Sequence, residues 1–143
     1  MALTIKIKYF TDIEKIKAID IGNWVDLRAA EDVEMKAGEY KLIKLGVGMK
    51  LPHNFEAIVA PRSSTFKTWG VLQTNSPGVI DESYSGNKDQ WRFPAYATRD
   101  VTIKKNDRIC QFRIQTIMEK INFEEVNQLD EVSRGGIGST GVN

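Results

Sequence analysis

The 143 residues hold one cysteine, one histidine and four prolines. A lone Cys110 cannot close an internal disulfide, and with His53 as the only imidazole it cannot complete a Cys/His metal cage. An excess of one charge is missing too. Twenty Lys and Arg face nineteen Asp and Glu, a formal net charge of +1, so no global field pulls the chain onto nucleic acid or an anionic membrane. No run approaches about eighteen apolar residues, and the opening MALTIKIKYF alternates polar with apolar instead of setting an apolar run behind a charged head. These absences lead to the expectation of an unexported, cytoplasmic protein in a reducing setting, with no nucleic-acid and no membrane partner, that holds any anionic ligand through local contacts. The length suits one domain with one core.

What is present is period two. LTIKIKYF, YKLIKLGVGMKL, FEAIVA, VTIKK and RICQFRI place apolar residues on alternating sides, as half-buried strands do. DIGNW, KAGEY, LPHN, NSPG, YSGNKD and KKND between them are turn compositions. Many short strands with frequent turns predict an all-β barrel or sandwich. The only helix expected is one or two turns through TFKTWG, capped by Ser63 or Ser64. The boundary expected falls at residue 133, separating a β domain (1–132) from a glycine-rich C-terminal arm (133–143).

Four stretches depart from plain strand and turn. APRSST, 60–65, ends an apolar strand in Arg62, Ser63 and Ser64. Its ordinary reading is a helix cap with a surface arginine; its functional one is a phosphate site of amides, hydroxyls and a guanidinium. TNSPGVIDESYSG, 74–86, places Asp81 after an apolar Val79-Ile80 pair and Tyr84 three residues on. A buried carboxylate there either bonds backbone amides or does chemistry. In DRICQF, Arg108 and Gln111 interrupt an apolar edge, as a solvent-facing strand side would. SRGGIGSTGVN, 133–143, is a frayed terminus or a lid: its glycines allow close backbone approach, and Arg134, Ser139 and Thr140 are donors suited to phosphate. It lacks the strand, helix and Gly-Lys-Ser/Thr of a Walker loop.

In this order the pieces resemble the homotrimeric all-β dUTPase family, over about residues 23–143. GNWVDLRAAED is similar to the family's first motif, PRSS to the second, GVIDESYSG to the third, RICQ to the fourth and RGGIGSTG to the fifth. The resemblance implies a jelly-roll-like β-barrel with a flexible glycine-rich arm, a homotrimer with sites between subunits, and hydrolysis of dUTP to dUMP and pyrophosphate with Mg²⁺. Such an enzyme keeps uracil out of DNA and supplies dUMP for thymidylate synthesis. Two alternatives stay open: a dCTP deaminase of the same fold, and a regulatory binding protein built on it.

By the same resemblance, Asp81 activates the attacking water and Gln111 helps hold the reacting groups. Arg62, Ser63 and Ser64 bind the phosphates, and Arg134, Gly138, Ser139 and Thr140 close over them from a neighbouring chain. Asn75, Gly78, Val79 and Ile80 read the uracil edge, and Tyr84 packs under the sugar. Asp26 is the metal-side carboxylate, acting through water, although GNWVDL stands where the family usually has Ala-Gly-Tyr-Asp-Leu. Ile137 occupies the position of the aromatic that stacks on the base, a contact worth roughly 1–3 kcal/mol elsewhere. Trp91 and Phe93 are therefore expected either to supply the stacking or to be core residues on a strand.

Overall fold

A computed structural model of the chain describes residues 2–136. Alternating apolar side chains become eleven strands among the described residues, and all their pairings are antiparallel. In chain order these are β1 (Lys6–Tyr9), β2 (Val25–Arg28), β3 (Val33–Met35), β4 (Tyr40–Lys44), β5 (Val47–Lys50), β6 (Phe55–Pro61), β7 (Val71–Gln73), β8 (Gly78–Ile80), β9 (Arg92–Ala97), β10 (Val101–Ile103) and β11 (Arg108–Thr116). Spatial order departs from chain order. A four-stranded sheet runs β2-β11-β6-β8 and a three-stranded one β4-β9-β7, with pairs β1-β5 and β3-β10 beside them. This crossing-over of short antiparallel strands is the jelly-roll-like all-β fold. Leu27, Val59, Phe93, Ile103, Ile109 and Phe112 are among the inward side chains that fill its core.

The four-stranded sheet carries one irregularity that matters for the site. Register shifts between Arg108 and Cys110 of β11 against β2, so Ile109 is an extra residue, a β-bulge. Ile109 and Cys110 are consequently both buried, and parity is reset. Arg108 and Gln111, three apart, would fall on opposite faces of a regular strand; with the bulge both belong to the outer face, Gln111 half-buried and Arg108 exposed.

The expected helix is α1 (Thr65–Trp69). Ser64 occupies its N-cap position, yet neither expected serine caps it: the Ser64 side chain makes no capping bond. Fully buried Thr65 builds the turn instead. Its Oγ1 accepts the Arg62 N–H at 2.8 Å and donates to the Ile109 carbonyl at 2.8 Å, tying the PRSS turn to the bulge. At the other end Gly70 takes a φ of 66°, the left-handed stop that glycine tolerates, and the Arg99 guanidinium donates to the carbonyls of Lys67 and Thr68. No helix among the described residues is long and apolar enough to cross a membrane. Beyond Thr116 the described chain, 117–136, forms no helix or strand, and it exposes Phe123 (92%), Leu129 (92%) and Val132 (83%).

Candidate active site

The functional side chains fall into two groups on the four-stranded sheet. The first lies at the end of β6, where the outward alternation of β2 and β11 places Asp26 directly opposite Gln111. Arg62, just past β6, donates from Nε to Asp26 Oδ1 at 3.0 Å, and Arg108 donates from Nη1 to Asp26 Oδ2 at 3.2 Å. Arg62 Nη1 also donates to the Arg108 carbonyl at 3.1 Å, and Gln111 Nε2 to the Pro61 carbonyl at 3.1 Å. Two guanidiniums around one carboxylate leave one positive charge, and the Ser64 hydroxyl next to them is not spent on the helix. The group is built to receive an anion.

The second group lines a cleft of about 390 Å³ between β6, β8 and the start of β9. Asn75, Gly78, Val79, Ile80, Asp81 and Tyr84 all border it, so the structure brings together the whole base and sugar set expected from the sequence. β8 pairs only with β6, which leaves the backbone donors and acceptors of its other edge unpaired by any strand among the described residues. Tyr84 is fixed by its hydroxyl, which donates to the Gln90 carbonyl at 3.0 Å.

Asp81 sits at the rim of this cleft, exposed, where the sequence alone allowed a buried carboxylate. Its Oδ2 accepts from the Ser83 hydroxyl and, at 2.9 Å, from the Ser83 backbone N–H. These bonds, the hydroxyl's above all, hold the carboxyl below its ordinary value of 3.8. Asp81 is thus charged at neutral pH. The next turn is tied in as well: Glu82 accepts the Asn54 N–H at 2.7 Å and contacts His53 Nδ1 at 3.1 Å.

The structure chooses between the two readings of Trp91 and Phe93, and it separates Asp81 from Gln111 within the chain. Trp91, which borders the cleft but is only 1% exposed, and Phe93, fully buried, take the core reading; Trp91 packs edge-on against Phe112 at 5.2 Å, so neither ring is open for a base to stack on. Asp81 and Gln111, expected to act together, are not adjacent within one chain. Ile80 pairs with Ala57 and Gln111 with Ala60, on strands flanking β6; at about 3.4 Å per residue and about 4.8 Å per strand, Asp81 lies on the order of 15 Å from Gln111. Of the arm, Arg134 is exposed, and Gly138, Ser139 and Thr140 lie outside the described residues.

Three residues escaped the sequence reading. Ser83 was signalled by Asp-x-Ser spacing, the pattern of a local side-chain turn. Thr65 carried no signal beyond its place after two serines. Gln73, buried on β7 and lining the cleft, looked like any polar residue beside a turn.

Among the described residues no cluster of three His, Cys, Asp or Glu side chains could hold a metal ion by itself. A cation carried on a polyphosphate has a lesser requirement, since Mg²⁺ keeps several waters and needs as little as one carboxylate. Asp26 meets it: each oxygen has one guanidinium contact, and a carboxylate offers about four lone-pair sites. With both arginines beside it, Asp26 fits only an ion whose charge is offset by the phosphates that carry it.

Comparison with known proteins agrees with this geometry. The dUTPase family model matches residues 14–141. The SPβ prophage-derived deoxyuridine 5'-triphosphate nucleotidohydrolase of Bacillus subtilis is 57% identical over 141 residues, covering 98% of this chain and 99% of that protein. Two solved structures share the fold. One is the dUTPase of Staphylococcus bacteriophage 80alpha with dUpNHpp (TM-score 0.73, 21% identity, 97% of this chain and 99% of that one). The other is a dUTPase from phage phi11 of S. aureus with a structural Mg(II) ion (TM-score 0.72, 15% identity, 87% and 97%). A cleft edged by open β8 backbone, an ionised aspartate at its rim, and a family match over nearly the whole length have one meaning: the chain belongs to the dUTPase family, the enzymes that hydrolyse dUTP.

Proposed function

We propose that the chain hydrolyses dUTP to dUMP and pyrophosphate by attack of an Asp81-activated water on the α-phosphorus. The observation that carries this reading is Asp81 itself, held as a carboxylate by Ser83 at the mouth of the cleft that takes the base. The water oxygen forms a bond to the α-phosphorus while the bond from that phosphorus to the α–β bridging oxygen breaks. Asp81 takes the water's proton and pyrophosphate leaves with the bridging oxygen. Protein groups do little bond-making in phosphoryl transfer, so placing and neutralising the triphosphate dominates.

Arg62 and Ser63, with Ser64, receive the phosphates. Arg134, Gly138, Ser139 and Thr140 close over them and exclude water from the attack geometry. Asp26 would hold Mg²⁺ through water; when bound, the ion neutralises phosphate charge. Uracil lies against Gly78, Val79 and Ile80 with Asn75, and Tyr84 lies under the sugar, excluding a 2′-hydroxyl.

The separation of Asp81 from Gln111 supports a homotrimer with sites between subunits, in which the Asp81 cleft of one chain faces the Arg62 and Gln111 group of another. The product serves thymidylate synthesis, and removal of dUTP keeps uracil out of DNA. The test is pyrophosphate release from dUTP and the four common dNTPs with Mg²⁺. Release from dUTP alone is expected; equal release from dCTP or dTTP overturns the base reading, and deamination of dCTP would return the chain to the alternative enzyme of this fold.

A further inference from the structure

We propose that Gln73 is a specificity-determining residue that sets the polarity of the base cleft by dictating which way the Asn75 amide points. The inference deepens the reading that uracil occupies this cleft, and rests on it.

The argument starts from a group that cannot change character. The Val59 carbonyl, on β6, is only an acceptor, and Gln73 Nε2 donates to it at 3.0 Å. That bond determines the orientation of the Gln73 carboxamide, because a flipped amide would set oxygen against oxygen. The second Nε2 hydrogen then goes to Asn75 Oδ1 at 3.2 Å. Since Nε2 is only a donor, Asn75 must turn its oxygen to Gln73. Its Nδ2 is left over, with no acceptor among the described residues, on an exposed side chain lining the cleft.

A backbone carbonyl thus transmits its polarity through two carboxamides and leaves the cleft wall with a donor. A donor matches a carbonyl oxygen of uracil and opposes the amino group that cytosine carries instead of O4. Gln73 is 7% exposed, and its own Oε1 is buried with no partner among the described residues. Both of its amide hydrogens are used, one on the Val59 carbonyl and one on Asn75, as an orienting role requires. Gly78 belongs to the same arrangement: a Cβ there would stand 3.0 Å from Gln73 Nε2 and 3.4 Å from Asn75 Nδ2.

The experiment is a double-mutant cycle on the full chain, reading kcat and KM separately for dUTP and dCTP in wild type, Q73M, N75A and the double variant, with N75D alongside. Thermal melting establishes folding, and Q73V replaces Q73M if the latter is unfolded. Q73M frees Asn75 to point either way, so the dUTP-to-dCTP ratio of kcat/KM should fall about tenfold or more, mainly through KM. The double variant should discriminate no worse than N75A, because Gln73 acts only through Asn75. N75D places an acceptor where the donor was and should lower the ratio further. An unchanged ratio in N75D would overturn the placement of uracil against Asn75. A lowered ratio in N75D with an unchanged one in Q73M, or losses that simply add in the double variant, would leave the base reading intact and overturn the role of Gln73.

Discussion

Replacing Thr65 with valine removes one hydroxyl and almost no volume, and it should cost far more than a surface change. The hydroxyl accepts the Arg62 N–H and donates to the Ile109 carbonyl, both at 2.8 Å, from a side chain with no exposure. Valine fills the space and leaves both backbone groups without a partner. Each orphaned buried group costs about 1–3 kcal/mol, so the sum is about 2–6 kcal/mol. For a chain of this size that corresponds to a fall in Tm of roughly 6–20 °C. The kinetic consequence follows from what the turn carries: with Arg62 loosened from Asp26, KM for dUTP should rise severalfold while Asp81 chemistry is untouched. Differential scanning calorimetry and pyrophosphate release measure the two effects, and T65S, which keeps the hydroxyl and loses only a buried methyl, should keep the wild-type KM and lose about 1 kcal/mol of stability. A T65V protein that melts within about 2 °C of wild type with unchanged KM would refute the claim that Thr65 holds the phosphate turn against the bulge.

Asp81→Asn should keep fold and nucleotide binding and lose about 10²–10⁴-fold in kcat, since an amide takes no proton; more than a tenth of wild-type kcat would remove Asp81 as the base. Because Ser83 holds the Asp81 carboxyl below 3.8, activity lost through its protonation falls away only at pH beneath the ordinary aspartate range; Ser83→Ala should move that acid limb of kcat/KM upward, and an unmoved limb would separate Ser83 from the base. Trp91→Ala should now act on stability, by about 3–5 kcal/mol, and a stable variant with a raised KM would restore the stacking reading. A chain ending at Val132 should fold and assemble with much reduced kcat, and Arg134→Ala should cost on the order of ten- to a hundredfold in kcat/KM; full activity in the truncated chain would make the arm a frayed end.

The sequence by itself determined the all-β class, because period two is a property of consecutive residues and needs no partner to be visible. It also determined the turns, and it marked Arg62, Asn75, Asp81 and Tyr84 through short motifs whose residues are neighbours along the chain. Register was beyond it. The alternation around Trp91 and Phe93 tells that the two share a side of the strand, but the same pattern fits either side, and only packing against Phe112 and the rest of the core put them inward. RICQ held no sign of the extra residue that brings Arg108 and Gln111 to one face, since a bulge is defined by the opposing strand. Only the tertiary structure decided that Asp26 stands between two arginines, that Gln73 on β7 reaches the Val59 carbonyl on β6, and that Asp81 and Gln111 of one chain are too far apart to act together. Each of these depends on strands distant in sequence meeting in a particular register, which residue order along one strand does not encode.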